Sequence, residues 1–375
     1  MTSDSKEMPM AGEFTLRPSV SGLPAYVPGA SGDDPSIYKL SSNEVPSPPA
    51  PAVLAAISDV AAEANRYPEM YGDTLCHALA QRHGLSEGNL IIGNGSVSLL
   101  ELILRAAVTT GDEVVYSWRS FEAYPILVQV TGATSVQVPN TPTGEHDFEA
   151  MAAAITERTK IVMVCTPNNP TSQAATHSQI GAFLDRVPSN VLVVLDEAYA
   201  HFDRTEEKVD SLALLGGGEA RANLIVLRTF SKAYGMAGLR VGYAMGPSGL
   251  MSQLRSASTP FGVNALAGRA ALAALESEDY TDEVVEAVIA ERARVTAELR
   301  AQGWDVGQPQ GNFYWLPIGE RSHAYAAEAL ASGFTARPFP EGVRVTIGEP
   351  EANDLALALA ATWARGLGLT PVHPD

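Results

Sequence analysis

NLIVLRTFSKAYGMAGLRVGYAM, residues 223–245, decides how the chain is read. Its two apolar runs, NLIVL (223–227) and LRVGYAM (239–245), have the length and branched side chains of buried strands. Between and beside them lies a loop rich in small residues that carries Arg228, Ser231, Lys232 and Arg240. Most lysines are solvated surface residues. Lys232 instead has small and apolar neighbours and follows directly on a strand end. It is either an ordinary surface cation or an amine kept for chemistry.

Working outward, five more apolar runs share this character: 89–93, 112–116, 134–138, 160–164 and 190–195. Helical patterns separate them at about 53–65, 73–83, 97–108, 121–131, 147–157 and 176–187. Continuous apolar strands alternating with helices predict an α/β unit with a mostly parallel seven-stranded sheet covered on both faces. After residue 260 the texture changes to a long helix (279–302), short strands (312–317 and 342–347) and a terminal helix (351–365), a smaller α+β unit. The first 45 residues are rich in Pro, Ser and Gly and read as an arm. The expected division is an arm over 1–45 that partly joins the small unit, a large domain over 46–260 and a small domain over 261–375.

Composition narrows the function. The chain has 375 residues, 46% hydrophobic and 18% charged, with a net charge of −18. So acidic a chain, with its 25 Lys and Arg scattered, is unsuited to nucleic acid or to an anionic membrane surface. No apolar run approaches the roughly 20 residues that cross a bilayer. The start, MTSDSKEMPM, has no basic segment followed by an apolar core, so it does not read as a secretory signal. With two cysteines, Cys76 and Cys165, no disulfide framework is expected, and neither is a metal site. A cytoplasmic small-molecule enzyme is the expectation.

In open α/β sheets, ligands bind beyond the carboxyl ends of strands. Gly95 and Ser96 follow one strand and open a helix, so they offer N–H groups to an anion, or else an ordinary turn and N-cap. Asn169 sits in PNNPTS (167–172), a proline-bracketed loop that either aims a side chain at a ligand or simply turns. Asp196 ends a fully apolar strand, where a carboxylate needs a cation or serves as a helix cap, with Tyr199 close behind. Together with Lys232, these ends ask for a ligand with a phosphate, a ring that seeks a carboxylate and a carbonyl that seeks an amine. Pyridoxal 5′-phosphate has all three.

The segments PNNPT, LDEAY, RTFSKAYGMAGLRVG and GVRVTIG resemble the fold-type-I pyridoxal-phosphate aminotransferases, in the branch containing histidinol-phosphate aminotransferase. NRYP, GNGSVSL, WRSFEAYP and GNFYWLP are more similar to the actinobacterial aromatic (phenylalanine) aminotransferases of that branch. The resemblance runs from LSSNEVP (40–46) to the last helix. It implies that Lys232 holds the cofactor as an internal aldimine and serves as the general base. Arg228 and Arg240 then disfavour its protonated form. It further implies that Arg240, Ser231, Gly95 and Ser96 hold the phosphate, Asp196 the pyridine nitrogen, and Asn169 and Tyr199 the phenolic oxygen. Phe121 matches the ring-stacking aromatic, usually tyrosine in the family. Arg344 matches the arginine that grips the substrate carboxylate, with Asn312 and Asn43 assisting at that end. Tyr67 matches a residue that reaches the partner subunit's phosphate, so a homodimer with shared sites is implied. Tyr26 matches a residue folding over the substrate from the arm. Two positions depart from the family pattern: Ser172 replaces a glycine, and Val97 replaces a polar residue beside the phosphate loop.

The expected reaction is ping-pong transfer of an amino group between an aromatic amino acid and a 2-oxo acid such as 2-oxoglutarate. The alternative substrate is histidinol phosphate. The aromatics Trp118, Phe121, Tyr124, Phe313, Tyr314 and Trp315 favour the aromatic reading. Decarboxylation is a further enzyme class open to this fold, and a regulator would need a DNA-binding module for which the chain shows no basic helix-turn-helix.

Overall fold

The computed structural model describes residues 16–23 and 34–371, so Tyr26 lies outside the described residues. The strands are β1 (Tyr38–Lys39), β2 (Leu90–Gly93), β3 (Glu113–Trp118), β4 (Thr134–Pro139), β5 (Thr159–Cys165), β6 (Leu192–Asp196), β7 (Leu224–Thr229), β8 (Gly242–Met245), β9 (Phe313–Leu316), β10 (Phe334–Thr335), β11 (Arg337–Phe339) and β12 (Gly342–Thr346). The helices are α1 (Pro51–Ala61), α2 (Asp73–His83), α3 (Ser96–Ala107), α4 (Ala123–Thr131), α5 (Phe148–Ala153), α6 (His177–Leu184), α7 (Ser211–Leu215), α8 (Ser248–Ala257), α9 (Ala265–Glu276), α10 (Glu278–Ala301), α11 (Ser322–Ala331) and α12 (Pro350–Leu367).

All seven strands of the expected large sheet are present, in the order β2-β8-β7-β6-β5-β3-β4. Only β8 runs against its neighbours. Alternation along each central strand divides the core between two faces. Val193, Leu195, Leu224 and Val226 join one buried cluster, whereas Val194, Ile225 and Leu227 join the other. That two-sided burial is why these strands read as continuous apolar runs. β8 starts at Gly242, three residues later than the apolar run suggests. Residues 237–239 form a short 3-10 turn, and Arg240 takes a left-handed φ of +57°.

Toward the carboxyl terminus, β11-β12-β9 form an antiparallel sheet beside α10 and α11, and α12 packs on those two helices. β1 pairs in parallel with β10, Tyr38 opposite Phe334, and the Leu40 carbonyl accepts the Thr346 N–H at 2.8 Å. The segment that follows β1 is thereby carried past β12 and toward the carboxyl ends of β5, β6 and β7. Among the described residues, no helix is long and apolar enough to cross a membrane.

Candidate active site

Asp196 ends β6, the Asn169 loop follows β5, and Ser231 and Lys232 follow β7. With Tyr199, Arg240 and Arg344 they line one cavity of about 470 Å³. The sheet topology alone brings the first four together, because β5, β6 and β7 are parallel neighbours whose ends coincide.

Lys232 donates from Nζ to the Ser42 carbonyl at 3.1 Å, and Nζ stands 5.5 Å from the Tyr199 ring centroid. Burial, followed by the charges of Arg344 and Arg240, pushes its pKa down to about 7, against the opposing pull of Glu44 and Asp196. Arg344, rather than Arg228, is the leading cation. Arg228 is turned aside to an ion pair with Glu197 at 2.9 Å and a bond to Ser211 Oγ at 3.1 Å.

Asp196 is buried. Its carboxylate accepts the Tyr124 O–H at 2.9 Å and the Ala198 N–H at 3.2 Å. Burial still raises its pKa, with those two bonds opposing. A carboxylate in this state gains from a cationic N–H placed in the cavity. On the other side, Asn169 Oδ1 accepts from Arg344 Nη1 at 2.5 Å, and the Tyr199 hydroxyl accepts from Asn43 Nδ2 at 3.0 Å. Arg344 also donates to the Ser41 carbonyl at 2.6 Å.

The opposite end of the cavity is built for an anion. α3 starts at Ser96 with Gly95 as its N-cap residue, and no side chain caps it, so the reading of Ser96 as an N-cap does not hold. Arg240 donates to Ser231 Oγ at 3.1 Å. It packs so closely on Gly95 that a Cβ there would lie 2.5 Å from Arg240 Nη2. A Cβ on Gly242 would lie 2.7 Å from the Ser96 nitrogen. Glycine at these two places lets backbone donors and a guanidinium converge on one point. Val97 lines the cavity, whereas Ser98 bonds back to the Gly95 carbonyl.

The remaining expected residues are more dispersed. Phe121 lines the cavity. Asn312 donates to the Asn43 carbonyl at 3.1 Å, behind the wall. Tyr67 is 84% exposed, tilted against Phe261 with centroids 4.9 Å apart, and lines no part of this chain's cavity. Ser172 keeps the left-handed backbone its position requires, at φ +64°, and its hydroxyl accepts the Gly311 N–H at 2.8 Å. Of the six aromatics expected to favour an aromatic substrate, only Phe121 reaches the cavity. Tyr124 stands behind Asp196, Phe313 and Tyr314 are core, and Trp118 and Trp315 line a different cleft. The apolar wall is made instead by Val97, Phe121, Ile126 and Leu127.

Sequence reading missed Arg337, which lines the cavity beside Arg344 and forms a forked ion pair with Glu122 at 2.8–3.0 Å. The signal was an arginine on each side of the FPEG turn, which places Arg337 opposite Arg344 in the β11–β12 register. It also missed the Ser41 and Ser42 carbonyls, whose contacts depend on the path of the chain rather than on residue type.

An amine, a buried carboxylate and a cationic, N–H-lined anion pocket at the ends of a parallel sheet define a pyridoxal-phosphate-dependent transferase. The residues fit that cofactor, with the acid, the base and the anion site each at a separate edge of one cavity. The family model for aminotransferase class I and II matches residues 35–359, and the chain belongs to this family. It is 50% identical to an aromatic amino acid aminotransferase of Streptomyces avermitilis, over 94% of this chain and 98% of that protein. A Streptomyces coelicolor protein of the same name is 49% identical over the same shares. Among solved structures, histidinol-phosphate aminotransferase from Sinorhizobium meliloti in complex with pyridoxal-5′-phosphate matches with a TM-score of 0.84. It is 26% identical, over 95% of this chain and 99% of that one.

Proposed function

We propose that this protein is a pyridoxal-phosphate-dependent aromatic amino acid aminotransferase of the cytoplasm. It exchanges an amino group between phenylalanine, tyrosine or tryptophan and a 2-oxo acid such as 2-oxoglutarate. The observation that carries the substrate class is the 49–50% identity, over nearly the whole chain, to proteins bearing that name. The apolar wall of Val97, Phe121, Ile126 and Leu127 supports it, since an aromatic side chain gains by leaving water there.

Bound pyridoxal phosphate supplies a covalent electrophile and an electron sink for the bond broken at the substrate's α-carbon. Arg344 receives the α-carboxylate through its planar guanidinium fork. Lys232 Nζ, with its pKa near 7, is neutral often enough at neutral pH to take the α-proton and to give it back. Asp196 would keep a ring nitrogen protonated, and Tyr199 and Asn169 would bond a phenolic oxygen. Arg240, Ser231 and the first N–H groups of α3 hold the phosphate, with Gly95 allowing their approach. Phe121 would cover the ring face; Asn43 and Asn312 would support the substrate end from behind the wall, and Tyr26 is assigned to that end by resemblance alone. Tyr67 serves the partner's site in a homodimer. The three-part division at residues 45 and 260 belongs to the same reading.

One observation favours histidinol phosphate: Arg337 adds a second cation beside Arg344. Glu122 neutralises it with a forked pair, which leaves the aromatic reading ahead. Steady-state comparison of phenylalanine and histidinol phosphate as donors decides between them. A higher kcat/KM for phenylalanine is expected, and a clear preference for histidinol phosphate would replace this reading with the other.

A further inference from the structure

Asn43 is 1% exposed and takes a left-handed φ of +55°, a conformation that asparagine tolerates better than most residues. The Asn312 side chain fixes its carbonyl from one side. Its own N–H donates to Thr346 Oγ1 at 2.9 Å. The directions of the remaining bonds follow from counting protons. A backbone N–H can only donate, so the Thr346 hydroxyl accepts there and gives its single proton to Asn43 Oδ1, 3.2 Å away. With Oδ1 assigned, the amide NH2 faces Tyr199 and donates to the phenol oxygen at 3.0 Å. The phenol accepts on that side, and its own proton is directed away from Asn43. Tyr199 lines the cavity, whereas Thr346 and Asn312 are fully buried behind it.

We propose that Asn43 and Thr346 are positioning residues that set the proton polarity of Tyr199, turning its O–H toward the cavity as a donor to the cofactor's phenolic oxygen. The proposal rests on the reading of Tyr199 as the partner of that oxygen. It explains why an asparagine, rather than a glycine, occupies a left-handed position in LSSNE: the backbone needs the conformation, and the site needs an amide. It also places the origin of the relay on β12, two residues beyond Arg344 and on the same strand face. A neutral acceptor in place of the amide would let the phenol point its proton backward, into the wall.

The test is a pH titration of the visible absorbance of the cofactor bound to the full-length protein, which reads the cofactor's own protonation rather than turnover. A donor on the phenolic oxygen stabilises its negative charge, so losing that donor makes the lysine-bound cofactor keep its proton to higher pH. Thr346→Val and Asn43→Ala are each expected to raise the transition by about half to one pH unit. Thr346→Ser, which keeps the hydroxyl, is expected to titrate as the wild type. In a Tyr199→Phe background, Thr346→Val should add nothing. The other titratable or charged groups around Tyr199 are Lys232, Arg344, Asp196 and Cys165, and none of these variants alters them. A Thr346→Val protein that titrates as the wild type would overturn the relay, as would a shift that persists in the Tyr199→Phe background. If Tyr199→Phe itself left the transition in place, the fault would lie in the underlying assignment of Tyr199.

Discussion

At the residue scale, the account rests on a lysine whose surroundings make it a different acid from a surface lysine. With its pKa near 7, about half of the Lys232 amine is neutral at pH 7, against about one in 3,000 for a solvated lysine. The pKa is lowered, so the reactive neutral form accumulates above it. The rate at which apoprotein captures pyridoxal phosphate should therefore rise to a plateau just above pH 7, measured by stopped-flow absorbance. A rate that climbs steadily toward pH 10 would mean an exposed lysine. Arg344→Lys should raise KM for both substrates about 10- to 100-fold, matching the roughly 1.5–3 kcal/mol typical of charged hydrogen bonds. Lys232, Asp196, Asn169 and Arg240 were legible because polar residues stood out at the ends of apolar strands. Arg337 was not, since only the β11–β12 register sets it beside Arg344. The aromatic residues misled for a related reason: an aromatic near a strand end faces either core or cavity, and the sequence does not say which.

At the element scale, the phosphate end depends on how tightly β8 presses on the start of α3. A methyl on Gly242 would meet the Ser96 nitrogen at 2.7 Å and the Arg228 carbonyl at 2.8 Å, both backbone atoms that cannot swing aside. Gly242→Ala should weaken pyridoxal phosphate binding about tenfold or more, the loss of roughly one charged hydrogen bond. Gly238→Ala, which meets nothing within 4 Å, should leave affinity unchanged. Equilibrium dialysis with apoprotein measures both. Ser172 offers a second case. Ser172→Ala keeps the left-handed backbone but leaves the Gly311 N–H without its acceptor, and should cost about 1–2 kcal/mol in urea unfolding. Ser172→Gly removes the strain along with the bond, so its cost should be smaller. Most of the large-sheet strands were legible from their apolar runs, while the edge strand β4, TSVQVP, shows only a mixed pattern. After β8, α10 and α12 were legible, whereas α8, α9 and α11 were not. α9 buries Ala267, Ala270, Ala271 and Ala274, small side chains that give little hydrophobic contrast yet allow close packing on α1.

At the scale of the whole molecule, Tyr67 is the residue that one chain does not explain. A tyrosine 84% exposed, tilted against a Phe261 that is itself 40% exposed and held at φ +56°, presents an aromatic pair to the surface where a second copy would bury it. If Tyr67 serves the partner's phosphate, Tyr67→Ala and Lys232→Ala proteins are each impaired alone. Mixed under conditions that exchange subunits, they should recover activity, because one site in each hybrid then has both intact residues. No recovery on mixing, with exchange verified by native mass spectrometry, would place Tyr67 outside the active site. The path that brings Ser41 and Ser42 to the cavity was not legible beyond the Pro- and Gly-rich composition around it. The pairing of β1 with β10 joins residues almost 300 positions apart and leaves no local signal.

The central claim is that one amine of this chain carries the cofactor. Borohydride reduction of the protein loaded with pyridoxal phosphate, followed by peptide mapping, tests it directly. The account predicts the reduced cofactor on the peptide containing Lys232 at one per chain, and no such adduct in Lys232→Ala. Stoichiometric labelling of a different lysine, or none at all in the loaded wild type, would contradict it.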